Sequence, residues 1–287
     1  MGGNVLSRKS VLVSLKVSQW TAEQVDRSVS DEIATDKKAT RSAGRYRKKL
    51  LPGCQTLTEI HKLSKAMGKT FVANTLPWGD KGTRVLPTAH YMAYIDRFRE
   101  DRKAWLASVD DFINGYVNDV MDARTTLGDL FDYNDYPEQS QLRSRFSMEI
   151  STLPYPDVED FRIAMPEQEM QRIRDSMEEE NRKTMERVNR DLWDRLHNVV
   201  SRMTERLSDP KNVFHGTLVT NVQDLCGLLE GLNVTKDADL EAMRRDVMAS
   251  LGRRDVHALR NDAKERSSAH VEAERIMRNM AALRPAA

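Results

Sequence analysis

Between Pro166 and Pro210 the chain contains neither glycine nor proline. Across that stretch Met170, Ile173, Met177, Met185, Val188, Leu192, Leu196, Val199, Met203 and Leu207 recur at steps of three or four, with Asn181 filling the one gap. This spacing keeps an apolar stripe on one side of a helix. At about 1.5 Å per residue such a helix is roughly 60 Å long, more than the width of a small domain. It must therefore project or be flanked by other long helices. The stripe advances by about 3.7 residues per step, against about 3.5 for a left-handed supercoil, so nearly straight antiparallel packing is expected.

A second long helix is predicted from Thr88 to Thr126, striped by Met92, Ile95, Phe98, Leu106, Val109, Ile113, Tyr116 and Val120. Shorter helices are predicted from Thr21, through the basic segment that follows, and from Thr56 to Met67, where Gly68 is a natural terminator. Beyond Pro210 the pattern predicts helices over Thr217–Leu229, over Lys236–Leu251, and from Asp255 or later to Leu283. Strands are predicted at Ser10–Val17, Phe71–Thr75, Thr83–Leu86, Phe146–Ile150 and Phe161–Ile163, on alternation and β-formers. The fold class is α+β and predominantly helical: two long antiparallel helices, a small antiparallel sheet at one end, and a C-terminal helical region. By this division residues 1–10 form a loose tail, 11–209 the long-helix hairpin with its sheet, and 210–287 the C-terminal region. The start of the chain misses a myristoylation signal because Ser7 falls one place late.

Charge narrows the function classes. Lys plus Arg (45) nearly cancels Asp plus Glu (44), so any attraction to nucleic acid must be local. The two cysteines, Cys54 and Cys226, have no metal spacing, and a reduced, cytoplasmic setting is expected. No apolar run approaches the roughly 20 residues of a membrane span, so no membrane partner is expected.

Gly68-Lys69-Thr70 matches the end of a phosphate-binding loop, but Leu63 stands where that motif needs a glycine, and the local order runs helix to strand. The six histidines fall on different elements without zinc spacing. Asp129, Asp132 and Asp135 lack the ligand order of a calcium loop, and Asp157, Glu159 and Asp160 read as turn chemistry. A metal-dependent nuclease built on these carboxylates is a third-ranked reading.

The strongest binding candidate is the segment holding Lys37, Lys38, Arg41, Arg45, Arg47, Lys48 and Lys49, with Tyr46 between two arginines. Such a segment can track a phosphate backbone and stack a base. Trp78, Lys81 and Arg84, in and beside a Pro/Gly loop, join it as candidates. Trp193 and Val200 lie off the main stripe of the long helix and make a second apolar patch. That patch faces either the C-terminal helices or another subunit.

The segments Val13 to Trp20, Val85-Leu86-Pro87, Trp105 and Phe161-Arg162-Ile163, in this order with the two long helices, resemble an uncharacterised family of bacteriophages and mobile elements, catalogued as a domain of unknown function. Members are encoded near MoxR-type AAA+ ATPases and von Willebrand A-domain proteins. The resemblance implies a non-catalytic phage accessory protein in the host cytoplasm, acting by self-assembly or with such an ATPase or A-domain partner. It carries no catalytic residues across, and neither cofactor nor metal is expected. Single-stranded nucleic-acid binding or annealing through the basic segment is the alternative.

Overall fold

The computed structural model describes residues 5–79, 82–156, 166–209, 212 and 214–283, and the chain is an α+β protein, predominantly helical with small antiparallel sheets. Val5–Lys9 (α1) and Ser10–Ser18 (β1) open it, so the expected tail is helical from Val5 on and Leu6 is fully buried. Glu23–Asp26 (β2), Arg27–Asp36 (α2), Tyr46–Lys49 (β3), Gln55–Asn74 (α3), Leu76–Pro77 (β4), Thr83–Pro87 (β5) and Thr88–Leu127 (α4) follow. After Gln139–Leu142 (α5) come Ser147–Pro154 (β6), Glu167–Ser208 (α6), Thr217–Leu232 (α7), Ala238–Val247 (α8), Val256–Asn261 (α9) and Ala263–Leu283 (α10). The larger sheet has the order β4-β5-β1-β6, and β2 pairs with β3 separately. The expected strand at Phe161–Ile163, the carboxylates Asp157, Glu159 and Asp160, and Lys81 lie outside the described residues.

The chain divides into two compact units. Unit 1 comprises Met1–Ser14, Val72–Tyr94 and Thr152–Ala287, and unit 2 comprises Leu15–Phe71 and Ile95–Ser151. In unit 1, α6 buries Val188, Leu192, Trp193, Leu196, Val200, Met203 and Leu207 in one core with α7, α8 and α10. Ala269 and Ala273 on α10 are fully buried there, and their small side chains suit close approach to α6, its main packing partner. The C-terminal helices thus share a core with α6 instead of forming a region of their own. The stripe of α6 enters this core only from Met185; Met170, Ile173 and Met177 join neither hydrophobic core among the described residues. Asn181, the gap in the stripe, accepts a hydrogen bond from Tyr155 Oη at 3.1 Å. Gly231 sits inside α7 because the His90 ring occupies the space its Cβ would need.

A helix end leaves its last carbonyls without partners. At the end of α6 the Arg266 guanidinium, 7% exposed, donates to the carbonyls of Arg206, Asp209 and Asn212 at 2.7, 2.7 and 2.9 Å. A cation there also complements the negative end of the helix dipole. Replacing Arg266 by Leu keeps apolar bulk but removes the donor these three carbonyls share, leaving the Asp209 carbonyl only the Asn212 amide at 3.0 Å. A loss of about 2–3 kcal/mol in unit 1 stability is expected in denaturant melts. An unchanged midpoint would show that water replaces the guanidinium freely.

In unit 2 the core gathers around α4, where Phe98, Trp105, Val109, Phe112, Tyr116 and Val120 are buried. Met92, expected on the same stripe, is 61% exposed. Ser64 Oγ accepts from Trp105 Nε1 at 2.8 Å and donates to Gln19 Oε1 at 2.7 Å, which satisfies the fully buried indole. The two long helices therefore bury their stripes in different cores. α3 continues through Gly68 rather than ending there. One interior glycine costs about 1 kcal/mol, less than the roughly 1.5–3 kcal/mol from burying Phe71, which follows Met67 on the same face. Gly68-Lys69-Thr70 consequently sits within a helix, not in a loop, and the expected strand at Phe71–Thr75 is replaced by the short β4.

Candidate nucleic-acid interface

The basic segment is a turn-rich loop and a strand, not a helical continuation. Asp26 caps α2, its carboxylate accepting from the Val29 amide at 3.1 Å. At the other end Lys38 adopts the left-handed conformation (φ 52°), while the Lys38 and Ala39 amides donate back to the carbonyls of Thr35 and Ala34 at 3.1 and 2.8 Å. This paired arrangement terminates the helix. The chain then turns through Thr40–Ala43 and returns as β3, which pairs with β2 in the register Glu23↔Lys49, Gln24↔Lys48, Val25↔Arg47 and Asp26↔Tyr46. Alternation along a strand sends Arg47 and Lys49 to one face and Lys48 to the other.

Burial separates the cations accordingly. Lys48 is 5% exposed, and its Nζ lies 2.7 Å from Asp135 Oδ2, 3.4 Å from Asp26 Oδ2 and 2.7 Å from the Leu130 carbonyl. It therefore ties the acidic turn near Asp135 to the β2–β3 hairpin and is not available to a phosphate. Burial alone would lower the Lys48 pKa, but the hydrogen bonds and charges of Asp135 and Asp26 outweigh it and hold it above its ordinary value. The Val29 amide, then Ser28 and Lys48, hold Asp26 below its own.

The other six cations are exposed. Lys37, Arg41 and Arg47 pair with Asp36, Asp31 and Glu23 at 3.0, 3.2 and 3.2 Å, yet their side chains are 73, 81 and 67% exposed. Exposed pairs of this kind are worth about 0–1 kcal/mol, so a phosphate can displace the carboxylate at little cost. Lys38, Arg45 and Lys49 make no ion pair among the described residues.

Two neighbouring hollows lie between α2 and this loop. One, about 350 Å3, is walled by Ile33, Ala34, Ala39 and Ala43, with Arg45 and the half-buried Tyr46 at its edge. The other, about 530 Å3, is lined by Arg27, Asp31, Arg41 and Arg45. Ser30, Gly44 and Arg45 belong to both. Ser30 Oγ accepts the Tyr46 amide at 2.9 Å and also bonds the Asp26 carbonyl, which fixes the strand against the helix.

The remaining candidates among the described residues belong to unit 1 and are occupied there. Trp78 is half-buried, packed edge-on against Tyr155 with ring centroids 4.9 Å apart, rather than presented for stacking. Arg84 donates to Thr75 Oγ1 and to the Thr75 carbonyl at 2.6 and 3.1 Å. Together with Arg195, which donates to the carbonyls of Ala73, Val72 and Thr75 at 2.7, 3.2 and 2.7 Å, it closes the C-terminal end of α3. Burial and the Arg195 charge lower the Arg84 pKa. Trp193 and Val200, read from sequence as an alternative subunit contact, are 1% and 0% exposed inside the unit 1 core. Their second patch faces the C-terminal helices of the same chain.

Among the described residues no three His, Cys, Asp or Glu side chains group to hold a metal, and no helix is long and apolar enough to cross a membrane. No family model matches the chain, no curated protein matches it, and no solved structure matches it.

Proposed function

We propose that the chain is a non-catalytic nucleic-acid-binding protein that holds single strands through the cations of residues 37–49. The observation supporting this most directly is the exposure of Lys37, Lys38, Arg41, Arg45, Arg47 and Lys49 on one loop and one strand face. Clustered cations release condensed counterions when they meet phosphates, a gain independent of sequence. A single strand suits the site better than a duplex, because only unstacked bases can reach the apolar walls beside Tyr46. The balanced charge of the whole chain then limits binding to this lobe. The accessory role suggested by the family resemblance would need a partner-binding face, and with Trp193 and Val200 buried no residue named for it supplies one.

The combined change of Arg41, Arg45, Arg47 and Lys49 to Ala, with Lys48 left intact, tests this reading. Binding to labelled single-stranded oligonucleotides should weaken for every sequence alike. The slope of log affinity against log salt should flatten by about 0.7 for each phosphate that is no longer neutralised. Absence of binding by the unmodified protein, or an unaltered slope in the variant, would return the segment to an ordinary solvated surface.

A further inference from the structure

We infer that the two hollows beside Arg45 seat one nucleotide of the bound strand, the base in the apolar hollow and the phosphate in the arginine-lined one. This rests on the nucleic-acid reading above and adds a base-dependent contact to it. The apolar hollow, at about 350 Å3, has room for a nucleobase, and Ile33, Ala34, Ala39 and Ala43 give it apolar walls that a base face prefers to water, with Lys37 and Arg45 also in its lining. Ile33 is 48% exposed, so this wall lies open to solvent rather than serving the core. The adjoining hollow gathers Arg27, Arg41 and Arg45 against a single carboxylate, Asp31, which Arg41 already meets at 3.2 Å. Three guanidinium groups against one acid leave a net positive site suited to a phosphate. Arg45 and Gly44 belong to both hollows, which places the two recognition elements side by side, as base and phosphate are in one nucleotide. The turn hydrogen bonds of Ala39 to Ala34 and of Ala43 to Thr40, with the Ser30 contact to the Tyr46 amide, shape the apolar hollow before any ligand arrives. Preorganisation of this sort lowers the ordering cost of binding.

The full chain would be titrated with a labelled oligothymidylate and with an abasic strand of equal length, which keeps the phosphates and lacks the bases. The unmodified protein should bind the base-bearing strand roughly tenfold more tightly, the order of one stacked base. Ile33→Asn, at an exposed position that the fold does not need, should lose most of that preference while keeping its affinity for the abasic strand. Equal affinity of the unmodified protein for both strands would overturn the inference and leave the phosphate reading standing. So would a preference that survives undiminished in Ile33→Asn. Failure of the unmodified protein to bind either strand would overturn both.

Discussion

Truncating Trp193 to Ala should destabilise unit 1 by about 3–5 kcal/mol and leave the mass of the protein in solution unchanged. The indole is 1% exposed within a core that includes Leu232, Leu240 and Met243. Its Nε1 donates to Asp237 Oδ2 at 3.2 Å, while Asp237 Oδ1 accepts the Asp239 and Leu240 amides, both at 3.0 Å, and so caps α8. Alanine therefore opens a cavity and removes one anchor of the loop that positions α8. Trp193→Phe refills most of the volume and removes only the hydrogen bond, so its loss should be nearer about 1 kcal/mol. Denaturant melts of both variants, with light scattering at several protein concentrations, read these outcomes separately. A Trp193→Ala protein of ordinary stability but smaller mass would mean that the residue serves an interface between chains after all.

The same residue shows where the sequence was informative and where it was not. The period from Met170 to Leu207, bounded by Pro166 and Pro210, predicts α6 to within a residue at each end, Glu167–Ser208. Helix periodicity reports which side is apolar, but not which partner covers it. From Met185 on, the stripe shares its core with α7, α8 and α10, and the residues that build or close that core, such as Ala273 and Arg266, have no local pattern. Likewise Gly68 reads as a terminator because glycine usually is one, whereas tertiary burial of Phe71 carries α3 past it.

At the candidate site the cations were legible as composition, and their arrangement was not. Lys and Arg are good helix formers, so the segment after Asp36 reads as more helix. What stops it is a lysine in the left-handed conformation, a role that sequence normally assigns to glycine. Thr21 and Gln24 imitate a capping box, while the working cap is Asp26, five residues beyond Thr21. The four residues of β3 include one strong β-former, Tyr46, and owe their conformation to pairing with β2. The burial of Lys48 follows from that pairing and from Asp135, which lies 87 positions along the chain. No spacing rule reaches so far.

Replacing Lys48 by Met should cost unit 2 about 3–5 kcal/mol, because the change removes one member of a buried charge group and leaves the others uncompensated. Asp135 and Asp26, 12 and 13% exposed, would lose their shared cation, and the Leu130 carbonyl its donor. Asp135 would keep the Gln24 amide at 2.6 Å, and Asp26 would keep the Val29 amide and the Ser28 hydroxyl, so the unit should weaken rather than fail to fold. Neutralising both acids in the same background, as Asp26→Asn and Asp135→Asn, should recover part of the loss, since no unpaired charge then remains buried. The pH dependence follows from the directions of the shifts. The Lys48 pKa is raised in the folded state, so its contribution is complete below the ordinary lysine value near 10.4 and fades as pH climbs through the folded value. The Asp26 pKa is lowered, so its contribution is complete above the ordinary aspartate value near 3.9 and fades as pH falls through the folded value. The stability gap between the unmodified protein and Lys48→Met should therefore be flat through neutrality and narrow at both extremes. Amide exchange over residues 23–49, measured at several pH values, locates the loss. A gap that stays constant into strong alkali, or protection of the hairpin equal to that of the unmodified protein, would show that the Lys48 ammonium is not what holds β2 and β3 to the turn at Asp135.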